Sequence, residues 1–468
     1  MTTTFAKKLT ESKALTFLIS LVFALLPFQR RFHGWVDSWS RKLTLPDFPL
    51  PHFFSKKIHL FITDLLIVFL TLFFLIRYKI ALRVFFWEGP SKYLTLLFFT
   101  AVASLYISIT HHYVLQYFLL LEFSFIFLFF NAVCQARKKI NFSQLVYVIA
   151  WTLVVVSCIQ CSIGIYQYFT QHPLGLSYLG EIDVRHFPFQ NPGKQRWLFD
   201  QIAGRELLLY RASGTFSHPN ILGGFLFCSL FASFYLFMKA ESQKILLSCF
   251  VFMQMFTLYI SYSRSAIIAF LLVIFVWGFL QMRYSGFRSP AFLKFSILAA
   301  SLLLSALLCI FLFYSQLTAR GGILNYNAVV NYADSERVQY LKMAIDMIKD
   351  NPWLGIGFNN FQLYEDPIQP GYPGHYFFSK VHNIYLLVAA ETGLIGGALF
   401  LLFIVAILKK AWRGLSQSAF LQEKIFLLSV FCGLLFIGAC DFYLLQTPHG
   451  RILFFGFGAL LYPTALQK

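Results

Sequence analysis

Charge is scarce along this chain: charged residues make up 12% of its 468 positions, and Asp and Glu together number only 20. A soluble domain carries about twice that share of charge. The signatures of nucleotide and metal chemistry are missing as well. There is no GxxxxGK[ST] loop, no Asp-x-Asp pair for a metal-bound sugar nucleotide, and no His/Cys/Asp spacing of a zinc site. The eight cysteines lie within or at the ends of apolar runs. They are expected to be buried thiols and not a disulfide framework, since Cys158-x-x-Cys161 has no second ligand pair. Internal repeats and low-complexity tracts are absent, and no small-residue cleavage site follows Leu26, Pro27 and Phe28. The first apolar run, behind Lys7, Lys8 and Lys13, is therefore expected to remain as an anchor.

What the chain has in abundance is apolar surface: 58% hydrophobic residues, 19% aromatic, and a mean hydropathy of +0.66. About twelve runs are each candidates to span a hydrocarbon core roughly 30 Å thick. They cover 14–28, 58–76, 93–110, 113–134, 145–169, 221–238, 245–261, 265–282, 295–314, 383–408, 425–440 and 452–462. The fold class this predicts is an all-α polytopic membrane protein. The formal charge of +18 is spread over short loops, which favours lipid phosphate over nucleic acid as its partner. If the runs alternate, Arg77/Lys79/Arg83/Lys92, Arg137/Lys138/Lys139, Arg283/Arg288/Lys294 and Lys409/Lys410/Arg413 share one side. The positive-inside rule makes that side cytoplasmic, with both termini inside. Only the basic segment 29–57 falls on the other side.

The two long polar stretches, 170–217 and 315–380, then face outward. The expected organisation is a five-helix membrane segment (1–169), a first outer loop (170–217), and a second membrane region (218–468) containing the other outer loop (315–381). Within that loop Val338, Leu341, Ile345 and Ile348 fall on one helical face. Asp334 or Ser335 is predicted to cap this helix and Pro352 to stop it. Such a helix can rest on a membrane surface or cover a site.

Three places hold polar residues that apolar packing does not explain, and two more are weaker. His382 and Asn383 open the tenth run. On an ideal helix Ala389, Gly393 and Gly396 lie within roughly 40° of His382, a seam of small residues that lets a neighbouring helix approach. A packing seam with an interfacial histidine accounts for the glycines but not for the polar pair above them. Glu391 lies on the opposite face and roughly 13 Å deeper. It is expected to be protonated, paired or beside water, in a structural role; Glu122 and Asp64 raise the same question. In ISYSRSAII, Arg264 is expected to be held tightly between two spans among serine hydroxyls, where its planar fork suits a phosphate. YRASGTFSHPN brings Arg211, His218 and Asn220 to the end of the sixth run; Asn220 can cap a helix and Gly214 can turn the chain, whereas Arg211 has no such local explanation. Arg337 is a weaker candidate, and Asp441, His449 and Arg451 could form a local ion cluster. With no nucleotide on an outer face, a transferase there needs a donor that carries its own leaving group, as a lipid pyrophosphate does.

These motifs resemble those of the O-antigen ligase family, which includes O-antigen polymerases and protein O-oligosaccharyltransferases. His382-Asn383, nine residues on to Gly393, then Gly396, is similar to its His-[Asn/Ser/Gln]-x9-Gly-x-x-Gly signature. SYSRSA, RASGTFSHPN and NPWLGIGFNNF resemble its Ser-Arg-Ser turn, its Arg-x-x-Gly-Thr-Phe-x-His-Pro-Asn segment and its Asn-Pro-x-x-Gly-x-Gly stretch. The likeness runs from about Arg211 to Phe403.

The resemblance implies an enzyme of the bacterial inner membrane, with its active site facing the periplasm. It would move a glycan from undecaprenyl pyrophosphate to an acceptor hydroxyl with inversion, needing neither metal nor cofactor. Arg211 and Arg264 match residues assigned to the pyrophosphate, and His382 matches the one assigned to the acceptor. Arg337, His218, Asn220 and Asn383 are expected to support them. The acceptor is a glycolipid: lipid A-core for a ligase, the preferred reading, or a lipid-linked repeat for a polymerase. The further C-terminal domain of many protein O-oligosaccharyltransferases is not in this sequence, which disfavours protein as acceptor. From another class, a twelve-helix secondary transporter would place its polar residues at the midplane of related halves.

Overall fold

The computed structural model describes residues 2–28, 62–106, 113–181, 199–201, 208–240, 242–312, 328–361, 380–415 and 419–462. The first half comprises α1 (Thr2–Ala24), α2 (Ile62–Tyr78), α3 (Leu82–Trp87), α4 (Ser91–Tyr106), α5 (Tyr113–Ala136) and α6 (Phe142–Thr170). After a short antiparallel pair, β1 (Phe199–Gln201) and β2 (Leu208–Tyr210), come α7 (Pro219–Lys239), α8 (Lys244–Ile260), α9 (Arg264–Ser285) and α10 (Pro290–Leu312). The chain continues as α11 (Ala328–Asp350), α12 (Ile384–Arg413), α13 (Leu421–Cys440), α14 (Tyr443–Gln446) and α15 (Pro448–Leu461).

Over its described residues, each predicted apolar run lies on a helix. Helices α6, α7, α9, α10, α12 and α13 are long and apolar enough to cross a membrane. The molecule is a multi-pass membrane protein. Helix α7 is buried along its whole length from Pro219 to Leu236, as expected of a helix that is apolar all round. It is the post on which α6, α8, α9, α13 and α15 pack. The two halves are joined as one bundle by α4 against α12, α6 against α7, and α5 against α15.

Side chains at the helix ends fix which ends lie together. At one end Asn383 Nδ2 donates to the Ala439 carbonyl at 3.2 Å, and Thr215 Oγ1 donates to the Pro27 carbonyl at 2.8 Å. At the other, Ser143 Oγ meets Glu423 Oε1 at 2.5 Å, Lys239 pairs with Glu423, and Arg137 donates to the Tyr462 carbonyl. The basic clusters gather at this second end. Lys138 pairs with Glu88 at 2.6 Å, Lys139 lies 5.9 Å from the Tyr78 ring, and Lys410 lies 4.9 Å from the Tyr462 ring. Helix α1 starts and α15 finishes there, so the alternation predicted from the loops holds in the bundle. The basic segment 29–57 lies outside the described residues.

The outer helix departs from expectation. Helix α11 begins at Ala328, ahead of the predicted caps Asp334 and Ser335, and ends at Asp350, just before Pro352. Its buried face is Tyr340, Met343, Ala344 and Met347, packed on Ile356, Phe361, Val381 and Leu387. Of the expected apolar face, Val338, Leu341 and Ile345 are exposed, and Ile348 packs partly buried against that cluster. Both stripes are apolar at helical spacing, and the sequence period does not choose between them. Among the cysteines, Cys134, Cys161, Cys228 and Cys309 are buried, Cys158, Cys432 and Cys440 partly so, and Cys249 is exposed; all are free thiols.

Candidate active site at one end of the bundle

The segment Arg211–Asn220 is pinned to α6 by two buried glutamines. Gln167 Oε1 accepts from the Ser213 and Gly214 amides at 3.0 and 2.9 Å, and Gln160 Oε1 accepts from the Thr215 amide at 2.9 Å. Gly214 turns the chain, with φ 60°, and a Cβ there would stand 2.4 Å from Gln160 Oε1. The helix that follows is capped by His218, whose Nδ1 accepts from the Asn220 amide at 3.0 Å. Asn220, the predicted cap, instead joins a polar chain across the bundle.

That chain begins at Arg211, which is almost fully buried. Its Nε and NH2 donate to the Ser261 carbonyl at 3.0 and 2.8 Å, and NH2 also donates to Asn220 Oδ1 at 3.0 Å. Asn220 Nδ2 in turn donates to Asp441 Oδ2 at 2.7 Å. Arg211 thus holds the turn between α8 and α9, where Tyr262 has φ 51°, from beneath. Arg264 is the first residue of α9, directly after this turn, and its side chain is exposed and not enclosed between spans as expected. The Ser261 and Ser263 side chains are buried.

His382 meets the chain from the other side. It precedes α12, whose N-cap is Asn383; Asn383 Oδ1 accepts from the Tyr385 and Leu386 amides, both at 3.0 Å. The imidazole packs edge-on against Phe442 at 5.1 Å, next to Asp441. Burial holds the pKa of His382 below the ordinary imidazole value; the Asp441 carboxylate pulls it up and Arg337 pushes it down. Arg337, on α11, is therefore near enough to act on the charge of the histidine. The expected cluster of Asp441, His449 and Arg451 does not form. Asp441 turns to Asn220, Arg451 pairs with Glu122 at 2.7 Å, and His449 packs on Phe216 at 5.2 Å.

The predicted small-residue seam is a break in the helix. Gly393, with φ 71° and ψ −178°, interrupts α12 and strands the backbone groups on either side. The NPWLGIG stretch fills the break: Leu394 donates to the Pro352 carbonyl at 2.7 Å, and Ile356 donates to the Ala390 carbonyl at 3.0 Å. A Cβ on Gly393 would stand 2.1 Å from the Trp353 carbonyl oxygen, and one on Gly355 2.5 Å from the Ala390 oxygen. Two motifs far apart in sequence are therefore halves of one joint: a loop approaches at Gly393, while Gly396 faces Leu97 of α4. Beside it Glu391 pairs with buried Lys380 at 2.8 Å, and Lys380 also donates to Asn359 Oδ1 at 2.5 Å. Glu391 is paired, as its depth requires, and the joint ends two residues from His382.

Sequence reasoning passed over Gln160, Gln167, Lys380 and the pivotal contact of Asp441. For the two glutamines the one signal available was a polar residue inside an apolar run; Lys380 and Asp441 lie beyond the ends of such runs. Among the described residues no group of three or more His, Cys, Asp or Glu is arranged to hold a metal ion.

A family model described as O-Antigen ligase matches residues 249–401. That span includes the turn before Arg264, Arg337, the 352–357 strap, His382 and the Gly393 break; Arg211 lies ahead of it. A general O-oligosaccharyltransferase of Acinetobacter baylyi is 25% identical over 206 residues, covering 42% of this chain and 35% of the relative. The match thus spans about a third of the length of that curated relative.

Proposed function

We propose, for a chain that belongs to the O-antigen ligase family through residues 249–401, that it transfers a glycan from undecaprenyl pyrophosphate to an acceptor hydroxyl at the His382 end of the bundle. The acceptor we favour is the lipid A-core of lipopolysaccharide. This end faces the periplasm in our reading, because the basic clusters occupy the other. The observation that carries the proposal is the polar chain that ties the turn bearing Arg264, through Arg211, Asn220 and Asp441, to the neighbourhood of His382.

In this mechanism the acceptor oxygen attacks the anomeric carbon from the face opposite the pyrophosphate. The carbon–oxygen bond to phosphate breaks with inversion, and its electron pair leaves on the phosphate. His382, neutral at neutral pH, takes the hydroxyl proton. Exposed Arg264 meets the pyrophosphate. Arg211 has committed its Nε and NH2 to Ser261 and Asn220, so it adds positive charge from beneath and holds the turn rigid. Fixed cations of this kind stabilise charge as it grows on the leaving group, with little reorganisation during the reaction. Arg337 adds a further cation from α11; His218 and Asn383 cap the two helices, and Asn220 joins the arginine to the carboxylate. The reaction so written draws on no metal or cofactor.

A polymerase would use the same atoms with a lipid-linked repeat as acceptor. A transporter fits less well, because Arg211, Arg264 and His382 lie at one end of the bundle and not at its midplane. The likeness to an O-oligosaccharyltransferase supports transfer of a preassembled oligosaccharide.

The test is reconstitution in vesicles with lipid-linked oligosaccharide and either lipid A-core or a second lipid-linked repeat. Wild type is expected to produce glycosylated lipid A-core. His382→Ala is expected to lose roughly 10²–10⁴-fold in rate while still binding donor. Transfer by His382→Ala at the wild-type rate removes the base assignment, and elongation of the lipid-linked repeat alone makes the protein a polymerase.

A further inference from the structure

At the end of the bundle away from His382 the surface is hollow. Helices α9 and α12 both pack on α13, and between them lies a groove of about 740 Å³. Phe275 and Phe279 form one wall, Leu408 and Trp412 the other, and Leu428 and Cys432 the floor. The volume is in the range of small-molecule sites, roughly 300–1,000 Å³. Phe275, Phe279 and Trp412 are exposed, so the groove opens sideways toward lipid.

Its rim is charged. Lys409 and Arg413 line the groove and lie four residues apart, on one face of the last turns of α12, where like charges repel. Among the described residues neither has a carboxylate within ion-pair distance. Lys410, beside Lys409, turns away from the groove to lie over the Tyr462 ring. Trp412, 6.5 Å from Tyr284, sits where aromatic side chains mark a membrane interface.

We infer that this groove binds an anionic phospholipid of the leaflet opposite His382. An acyl chain lies between the α9 and α12 walls, and the headgroup phosphate lies between Lys409 and Arg413. A second copy of the chain could cover the apolar walls, but the rim calls for an anion, which the lipid supplies together with the chain. The rise of α9 from Arg264 to Phe279 is roughly 20 Å, so the site is separate from the one proposed for the donor's phosphates.

The full chain, purified in detergent, can be titrated with phosphatidylglycerol or with phosphatidylcholine of the same acyl chains, and adducts counted by native mass spectrometry. Wild type should retain phosphatidylglycerol in preference. The double variant Lys409→Gln/Arg413→Gln should bind it about tenfold or more weakly and lose the preference, since each basic residue near an anionic lipid contributes on that scale. Cys432→Trp, which fills the floor, should lose the same adduct. Equal phosphatidylglycerol binding by the double variant overturns the headgroup assignment. A dimer that Cys432→Trp dissolves, with no lipid adduct, overturns it in favour of a second copy. Glycan transfer is not the readout, so failure of the proposed reaction leaves this result standing.

Discussion

His382 lies outside the helix and among groups that pull its titration in opposite directions. An ordinary imidazole titrates near 6.5. Burial lowers this value, Asp441 works against the lowering, and Arg337 adds to it. A base of this kind is neutral at neutral pH, so activity should be flat there and fall only as pH drops through the depressed pKa, below about 6.5. Arg337→Ala removes one of the lowering influences, and the acid limb of kcat/KM against pH should move to higher pH. A limb that stays put or moves down would show that Arg337 does not act on His382. The two arginines differ in kind. Arg264 is exposed and offers a planar fork to phosphate, so Arg264→Lys should lose nearly as much activity as Arg264→Ala, because a lysine keeps the charge without the fork. Full activity in the lysine variant at normal protein levels would reduce Arg264 to a general positive charge.

The decisive element is the break in α12, and it shows what sequence could and could not disclose. Gly393 and Gly396 were legible as places of close approach, because only small residues permit it. What approaches was not legible: a glycine that admits a helix and a glycine with positive φ look alike in sequence. The partner strap, Pro352 to Ile356, was legible as a motif but not as the source of the Pro352 carbonyl and Ile356 amide that satisfy the broken helix. Lys380 was not legible as the counterion of Glu391, since a buried pair eleven residues apart with a helix start between them follows no helical spacing. Within a bilayer, unpaired backbone groups are costly, so the joint should tolerate little. Gly393→Ala places a side chain in backbone conformations that are essentially glycine-only, at a cost of order 1–3 kcal/mol, before its overlap with Trp353 is counted. Its melting temperature in detergent should fall clearly below wild type. An unchanged melting temperature would mean that the strap and the break are not locked together.

On the scale of the whole molecule, hydropathy and the placement of Lys and Arg carried the architecture. Removing charge from water is the largest local cost in a bilayer, and that cost is written into composition. The chain of Arg211, Asn220 and Asp441 was not written there, because its members lie on α7 and at the ends of distant strands and helices that only the packed bundle brings together. The bundle sorts its helix ends into one that is basic and one that carries His382. Which of them faces the cytoplasm decides whether an undecaprenyl donor presented in the periplasm can reach the histidine. Two described positions report on this in a cysteine-free background: Ser177, exposed after α6 at the His382 end, and Arg288, exposed after α9 at the basic end. In intact inner-membrane vesicles and spheroplasts, a membrane-impermeant maleimide should label Ser177→Cys from the periplasmic face and Arg288→Cys only from the cytoplasmic face. The reverse pattern would leave the fold untouched and remove the mechanism, because His382 would then stand on the side of the membrane where nucleotide-activated sugars are available and a lipid pyrophosphate donor has no advantage.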